Sequence, residues 1–200
     1  MPVELFGMAL FAASMIGTPG PANMVVMASG ARFGFRASIP FLSGTILGKQ
    51  FIIWPIGLGL LAALSNDSAA FQVLRWLSVA YILWLAWKIA GTRIASAKAD
   101  NTPPSFAAGL IVHPLNPKAW AMIVGALTNF TVPGASALSA TAVAALTFLA
   151  LQIVLQSMWT FAGSAIARAI GGTPAEAWLM RTLAVLMVGS VIYVLMKGGS

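Results

Sequence analysis

The chain carries two proline motifs inside runs of apolar residues. Thr18-Pro19-Gly20-Pro21 interrupts the first such run, and Asn116-Pro117-Lys118 interrupts another in the second half of the chain. Each proline removes a backbone donor, and glycine adds conformational freedom that a packed helix does not need. The N-terminus of the helix behind such a break can hold a carboxylate. The two motifs therefore predict two broken helices whose exposed backbone groups can hold the carboxylate of a solute. The alternative is that each proline only kinks its helix for packing.

Two lysines lie within apolar runs and are candidate site residues. A charge at the centre of a membrane costs about 2.5 kcal/mol or more, so such residues usually have a function. Lys118 is interpreted as a counter-charge for a substrate carboxylate, as a group that exchanges a proton during transport, or as a donor to the carbonyls freed by the first break. Lys49 has the same functional interpretation, and its alternative is a long stem that reaches the membrane surface.

Four neutral amide side chains complete the candidate site. Asn23 follows the first break and Asn116 opens the second, so each is expected either to orient a substrate or to cap a half-helix. Gln152 and Gln156 are four residues apart and share one helical face. They are expected either to form hydrogen bonds between helices or to line a cavity.

The apolar runs contain no carboxylate, because all four acidic residues fall at run ends or in loops: Glu4, Asp67, Asp100 and Glu176. A site for a cationic side chain or a hard metal ion normally supplies carboxylates. One histidine, His113, and no cysteine disfavour a transition-metal site, so no metal and no cofactor are predicted. His113 beside Pro114 is interpreted as a structural group. A neutral substrate with a carboxylate is favoured, and if protons drive its transport, a lysine is the expected carrier and His113 the second choice.

The composition places the chain among integral membrane proteins. Its residues are 60% hydrophobic and 8% charged, whereas soluble domains have about 25% charged residues. The basic residues that produce the net charge of +7 are scattered between apolar runs, so they predict topology determinants and no nucleic-acid partner. We expect a single transmembrane domain over residues 1–200, and the first apolar run is expected to be an uncleaved span.

The apolar runs predict six transmembrane helices, since about 20 residues cross a bilayer. The predicted spans cover about residues 5–29, 38–64, 69–90, 106–130, 138–167 and 177–197. Three spans followed by three spans predict two inverted repeats, about 1–95 and 105–200, as in many secondary transporters. Aligning Pro19 with Pro117 puts each break near the middle of the first span of its repeat. The predicted fold is all-α, with helices one and four broken at the proline motifs.

Basic residues predict the orientation in the membrane. The loops after spans one, three and five hold seven of them: Arg32, Arg36, Lys88, Arg93, Lys98, Arg168 and Arg181. The opposite side holds only Arg75 and Lys197. Because basic residues accumulate in cytoplasmic loops, both termini are predicted on the non-cytoplasmic side.

Three sequence segments carry a family resemblance. Thr18–Pro21, followed by Ser29-Gly30-Ala31-Arg32-Phe33-Gly34-Phe35-Arg36, closely resembles the LysE/RhtB family of bacterial amino-acid exporters. Asn116-Pro117-Lys118-Ala119-Trp120 is similar to the second family signature, and Met158–Arg168 is also family-like. The resemblance implies a multi-pass exporter of amino acids or related metabolites in the bacterial inner membrane, built as two inverted halves and forming a homodimer. The chain departs from the family pattern at Thr128-Asn129-Phe130 and at Lys49.

The resulting hypothesis is a secondary transporter that exports a small molecule by alternating access around a site near the membrane midplane. An enzyme is disfavoured because the spans hold no carboxylate pair, no serine motif with a base and no metal cluster. Export of basic amino acids or metal ions is disfavoured by the missing carboxylates. The remaining alternative is a membrane scaffold or assembly partner without transport, for which Lys118→Ala would be silent.

Overall fold

The computed structural model describes residues 1–59, 69–91 and 102–197. Within these ranges the regular elements are helices: α1 Leu5–Gly17, α2 Pro21–Phe33, α3 Phe35–Gly48, α4 Gln50–Gly57, α5 Ala69–Ala90, α6 Phe106–Leu110, α7 Pro117–Phe130, α8 Ala137–Ile170 and α9 Ala175–Lys197. The described ranges contain no strand beyond one isolated bridge between Val3 and Thr131. The predicted all-helical class is confirmed.

The described helices include long apolar segments. Phe35–Gly57, which joins α3 and α4, and α8 are each long and apolar enough to cross a membrane, with mean hydropathies of 1.2 and 2.1. The bent pair of α1 and α2 adds a third such span if it is counted as one. The prediction of an integral membrane protein with apolar helices is therefore supported, whereas the count of six spans stays a prediction. Several residues named above lie outside the described residues: Asp67, Arg93, Lys98 and Asp100.

The first proline motif separates α1 from α2. Helix α1 ends at Gly17, the backbone of Thr18 and Gly20 is extended, and the two helix axes differ by 54°. Helix α2 begins at Pro21, where the missing N–H of proline has no helical acceptor to lose. Pro19 and Pro21 thus occupy different positions, one in the extended segment and one in the first helical turn.

The second proline motif starts α7. Helix α6 has only five residues, and turns lead from Ile111 to Asn116 before α7 begins at Pro117. The Asn116 Oδ1 atom accepts a hydrogen bond of 3.1 Å from the backbone N–H of Lys118, which is the geometry of an N-cap. Pro117 and Pro21 both occupy the first helical position, so position in the helix pairs Pro117 with Pro21, not with Pro19 as in the sequence alignment.

Glycines set the approach of α2 to α8. A Cβ atom at Gly30 would lie 2.0 Å from the Thr160 carbonyl oxygen, and one at Gly163 would lie 2.0 Å from that of Met27. The two backbones therefore touch directly, as small residues permit in membrane proteins. Helix α2 is buried from Pro21 to Ala31, which makes it the central element of the described part of the fold.

Glycines also set the approach of α3 to α6. A Cβ atom at Gly44 would lie 2.1 Å from the Phe106 carbonyl oxygen, and one at Gly48 would lie 2.3 Å from that of Leu110. The small-residue face that the spacing of Gly44 and Gly48 indicates is thus a packing face within the chain. It holds α6, and the turns that follow α6, against the junction of α3 and α4.

The N-terminus lies beside the connection between α7 and α8. The Glu4 N–H donates to the Phe130 carbonyl at 2.8 Å, and the Val132 N–H donates to the Pro2 carbonyl at 3.0 Å. The chain start and this connection therefore share one end of the molecule. Because α1 and α2 run away from that end, Phe33 and the α2–α3 junction lie at the opposite end.

Candidate functional site

A small central cavity lies where the two helix breaks meet the junction of α3 and α4. Its volume is about 20 Å³. Six of the predicted site residues line it: Gly20, Asn23, Lys49, Asn116, Lys118 and Gln156. A water molecule needs roughly 10–15 Å³ of such space, so the cavity has room for about one water and not for an amino acid.

Lys118 bridges the second break to the first. Its Nζ atom donates to Thr18 Oγ1 at 2.8 Å, to the Thr18 carbonyl at 3.2 Å and to the Pro19 carbonyl at 3.3 Å. Gly20 makes room for this side chain, since a Cβ atom there would lie 3.1 Å from Nζ and 3.0 Å from Cδ. The lysine therefore occupies the first break and donates hydrogen bonds to carbonyl groups that have no partner within a helix.

Asn23 satisfies further carbonyls of the same break. Its side-chain amide donates to the Ile16 carbonyl at 2.5 Å and to the Thr18 carbonyl at 2.9 Å. The last carbonyls of a helix have no partner within the helix and must find one elsewhere when no water is available. Asn23 and Lys118 supply these partners from α2 and α7.

Lys49 lies at the junction of α3 and α4 and is 1% exposed. The backbone of this residue is helical, with φ −68° and ψ −28°, so the two helices run on through it. Its Nζ atom is 5.4 Å from the centroid of the Phe148 ring, within the range of a cation–π contact. No hydrogen bond or ion pair between described residues involves the Lys49 ammonium group.

His113 joins the two glutamines in one buried cluster. The side-chain amide nitrogens of Gln152 and Gln156 lie 2.9 and 3.1 Å from His113 Nε2, and Gln152 donates to Gln156 Oε1 at 3.2 Å. His113 Nδ1 and Gln152 Oε1 have no partner within the described part of the chain. The sequence analysis interprets His113 as a structural group and, as a second choice, as a proton carrier. The structure places it in the cavity wall. Its position three residues before Asn116 was the signal that sequence reasoning left unused.

The remaining predicted residues surround this cavity without lining it. Thr18 and Pro19 accept hydrogen bonds from Lys118, and Gln152 lies behind His113 and Gln156. Pro21 and Pro117 start the two helices behind the breaks. The residues that the structure describes contain no group of three or more potential metal ligands.

Nearly the whole chain matches one family at the level of sequence. A model of the LysE type translocator family matches residues 13–198. The chain belongs to this family. The resemblance found in the proline motifs is thus confirmed. Members of the LysE family are transporters rather than enzymes, in agreement with the prediction that the chain is not an enzyme.

Curated relatives of this LysE-family chain carry the name cysteine/O-acetylserine efflux protein. The one from Escherichia coli O1:K1 is 37% identical over 123 residues, which are 61% of this chain and 63% of the relative. The one from Salmonella typhi is 35% identical over 123 residues, which are again 61% of this chain and 63% of the relative. The chain thus covers about 63% of the length of these relatives. No solved structure matches it significantly.

Two larger cavities flank the central one in this LysE-family chain. A cavity of about 280 Å³ lies toward the α2–α3 end and is lined by Ser29, Arg32 and Trp84, among others. A cavity of about 390 Å³ lies toward the α7–α8 connection and is lined by Gly57 and Thr128, among others. Helix α2 runs from the central cavity to the first of these, and α7 runs from the central cavity to the second. The central cavity therefore lies between two larger openings at opposite ends.

Proposed function

We propose that the chain is a secondary transporter of the bacterial inner membrane that exports amino acids or related small metabolites from the cytoplasm. Membership in the LysE type translocator family supports this, and so do the efflux relatives. The observation that carries the proposal is that two helix breaks, a hundred residues apart, meet at one small cavity lined by lysine and amide side chains. Broken helices at membrane depth are tolerated where they line such a cavity.

A neutral substrate with a carboxylate fits the chemistry of this site best. The cavity is lined by two lysines and several amides, and none of the described residues that line it is acidic. The proposed substrate site comprises all residues singled out in the sequence: Thr18, Pro19, Gly20, Pro21, Asn23, Lys49, Asn116, Pro117, Lys118, Gln152 and Gln156. His113 joins them because it contacts both glutamines.

Alternating access is the proposed mechanism. The central cavity, at about 20 Å³, is too small for an amino acid, so substrate entry requires the surrounding helices to separate. The flanking cavities of about 280 and 390 Å³ are the proposed cytoplasmic and external vestibules. Rocking of one inverted repeat against the other would open the centre to each vestibule in turn.

The finer membrane arrangement is part of this proposal. We propose six spans in a single transmembrane domain, with the α2–α3 end, which bears Arg32 and Arg36, in the cytoplasm and both termini outside. The pairing of the chain start with the α7–α8 connection supports a common side for these two segments. Coupling to protons and assembly into a homodimer stay predictions.

An export assay tests the proposed function. Cells that express the chain are loaded with cysteine, O-acetylserine and other neutral amino acids, and extracellular accumulation is compared with that of cells without it. Pro19→Ala and Lys118→Ala are expected to lower the accumulation, whereas the exposed Gly189→Ala in α9 serves as a matched control. Export would be contradicted if cells with the wild-type chain release no more of any tested amino acid into the medium than cells without it. Silence of Lys118→Ala would favour the scaffold alternative.

A further inference from the structure

The two lysines of the central cavity differ in what they bind. The three hydrogen-bond donors of the Lys118 ammonium match its three acceptors, which are two atoms of Thr18 and one of Pro19. No hydrogen bond between described residues involves the Lys49 ammonium, so its donors are available to a solute. Both side chains line the same cavity. Only Lys49 is therefore free to bind a solute through a full set of hydrogen bonds.

The described residues around Lys49 offer no negative charge to pair with a buried ammonium. Burial of an unpaired charge is costly, and buried charges are normally paired. The Phe148 ring, whose centroid is 5.4 Å from Nζ, offsets this cost only in part. Apart from the two lysines, the polar side chains of the cavity wall are amides and one imidazole, among them Asn23, His113 and Gln156. The carboxylate of a molecule that enters the cavity would supply this missing charge.

We propose that Lys49 binds the carboxylate of the transported solute, whereas Lys118 is a positioning residue that holds the first helix break. This inference rests on the proposed export function and names the group that the site recognises. Substrates with a free carboxylate are bound, and their primary carboxamides are rejected, because an amide cannot compensate the Lys49 charge. Gln156 and His113 lie on the same cavity wall and can form hydrogen bonds with the uncharged polar groups of the solute.

The different roles predict opposite changes in the stability of the two substrate-free variants. Lys49→Met removes an unpaired buried charge and keeps most of the volume, so the melting temperature in the absence of substrate is expected to rise. Lys118→Met removes three hydrogen bonds and leaves the Pro19 carbonyl without a partner among the described residues, so the melting temperature is expected to fall. A purely structural role of Lys49 would give a fall in both.

A competition experiment tests the recognition of the carboxylate. Inside-out vesicles containing wild type, Lys49→Met, Lys49→Arg or Lys118→Met take up radiolabelled cysteine and O-acetylserine. The primary carboxamide of each serves as the competitor. We expect Lys49→Met to raise the half-saturating concentration about 10- to 100-fold and to lose the preference for carboxylate over carboxamide. Lys49→Arg keeps the charge and is expected to retain the preference.

The results separate this inference from the proposed function. Wild-type vesicles that take up neither amino acid, nor any other neutral one, would contradict export itself. Uptake by Lys49→Met with an unchanged half-saturating concentration and unchanged preference would overturn the role of Lys49 while leaving export intact. If a variant gives no active vesicles, the melting temperatures still test the role of Lys49. A melting temperature of Lys49→Met below that of the wild type would contradict an unpaired charge at this position.

Discussion

Gly163→Ala is expected to force α2 and α8 apart at the centre of the fold. The added Cβ atom would lie 2.0 Å from the Met27 carbonyl oxygen, 2.9 Å from its carbonyl carbon and 3.1 Å from the Ala31 nitrogen. A carbon atom approaches a carbonyl oxygen to about 3.3 Å at the closest in ordinary packing. The two backbones must therefore separate by about 1.3 Å at this point, because no flexible side chain is present to move instead.

The expected cost of Gly163→Ala follows from this overlap. Overpacking of a well-packed core costs about 1–3 kcal/mol. For a protein of this size each 1 kcal/mol lowers the melting temperature by about 2–4 °C, so a fall of about 2–12 °C is expected. Export is expected to slow as well, since Asn23 on α2 and Gln156 on α8 face the same cavity and move apart with their helices.

Gly189→Ala is the matched control for this substitution. Gly189 lies in α9, and a Cβ atom there would meet no atom within 4 Å. The alanine gains about 1 kcal/mol in helix propensity, so the melting temperature should stay the same or rise slightly. The seven tryptophans allow melting of the detergent-solubilised protein to be followed by intrinsic fluorescence. If the Gly163→Ala and Gly189→Ala variants have the same melting temperature, the direct backbone contact between α2 and α8 is contradicted.

Three further predictions concern hydrogen bonds outside this helix contact. Asn23→Ala removes two donors from carbonyls of the first break and should lower the melting temperature by about 2–12 °C, for a cost of about 1–3 kcal/mol. Trp120→Phe loses the 2.8 Å bond to the Pro114 carbonyl and should cost about 0.5–1.5 kcal/mol, and an unchanged melting temperature would contradict that bond. Val3→Cys with Thr131→Cys should form a disulfide on mild oxidation, detected by faster migration on a non-reducing gel, because non-hydrogen-bonded bridge pairs have Cα atoms about 4.5 Å apart. The native chain has no cysteine, so each single-cysteine variant serves as the control. Failure of the double variant to form the disulfide would contradict the contact between the two segments.

The bounds of the helices were largely predictable from the sequence. The predicted third span, about 69–90, coincides with Ala69–Ala90, and the predicted fourth, about 106–130, covers α6 and α7 with the break between them. This success has a simple physical reason. The length and composition of an apolar run, together with its prolines, determine where a helix can begin and end in a nonpolar solvent.

The contacts of the polar residues were less predictable. The sequence left three roles open for Lys118, and only the structure shows its bonds to the first break. Partners a hundred residues apart have no signature in local spacing. The four-residue spacing of Gly44 and Gly48 indicates a small-residue face, but it does not reveal that α6 packs there. The cluster around His113 was missed for the same reason, since it depends on how the turns after α6 pack against α8.

The bond between Lys118 and Thr18 has a consequence for the order of synthesis. The two residues are separated by 100 positions, and α2 is complete long before the lysine is made. Ribosomes add about 5–20 residues per second, so roughly 5–20 s pass before the Pro19 carbonyl receives its donor. During this interval the nascent N-terminal half holds an unsatisfied break, which water at the insertion machinery or Asn23 must stabilise. A ribosome that stops before residue 118 would therefore leave a fragment that is poorly accepted by the lipid and readily degraded.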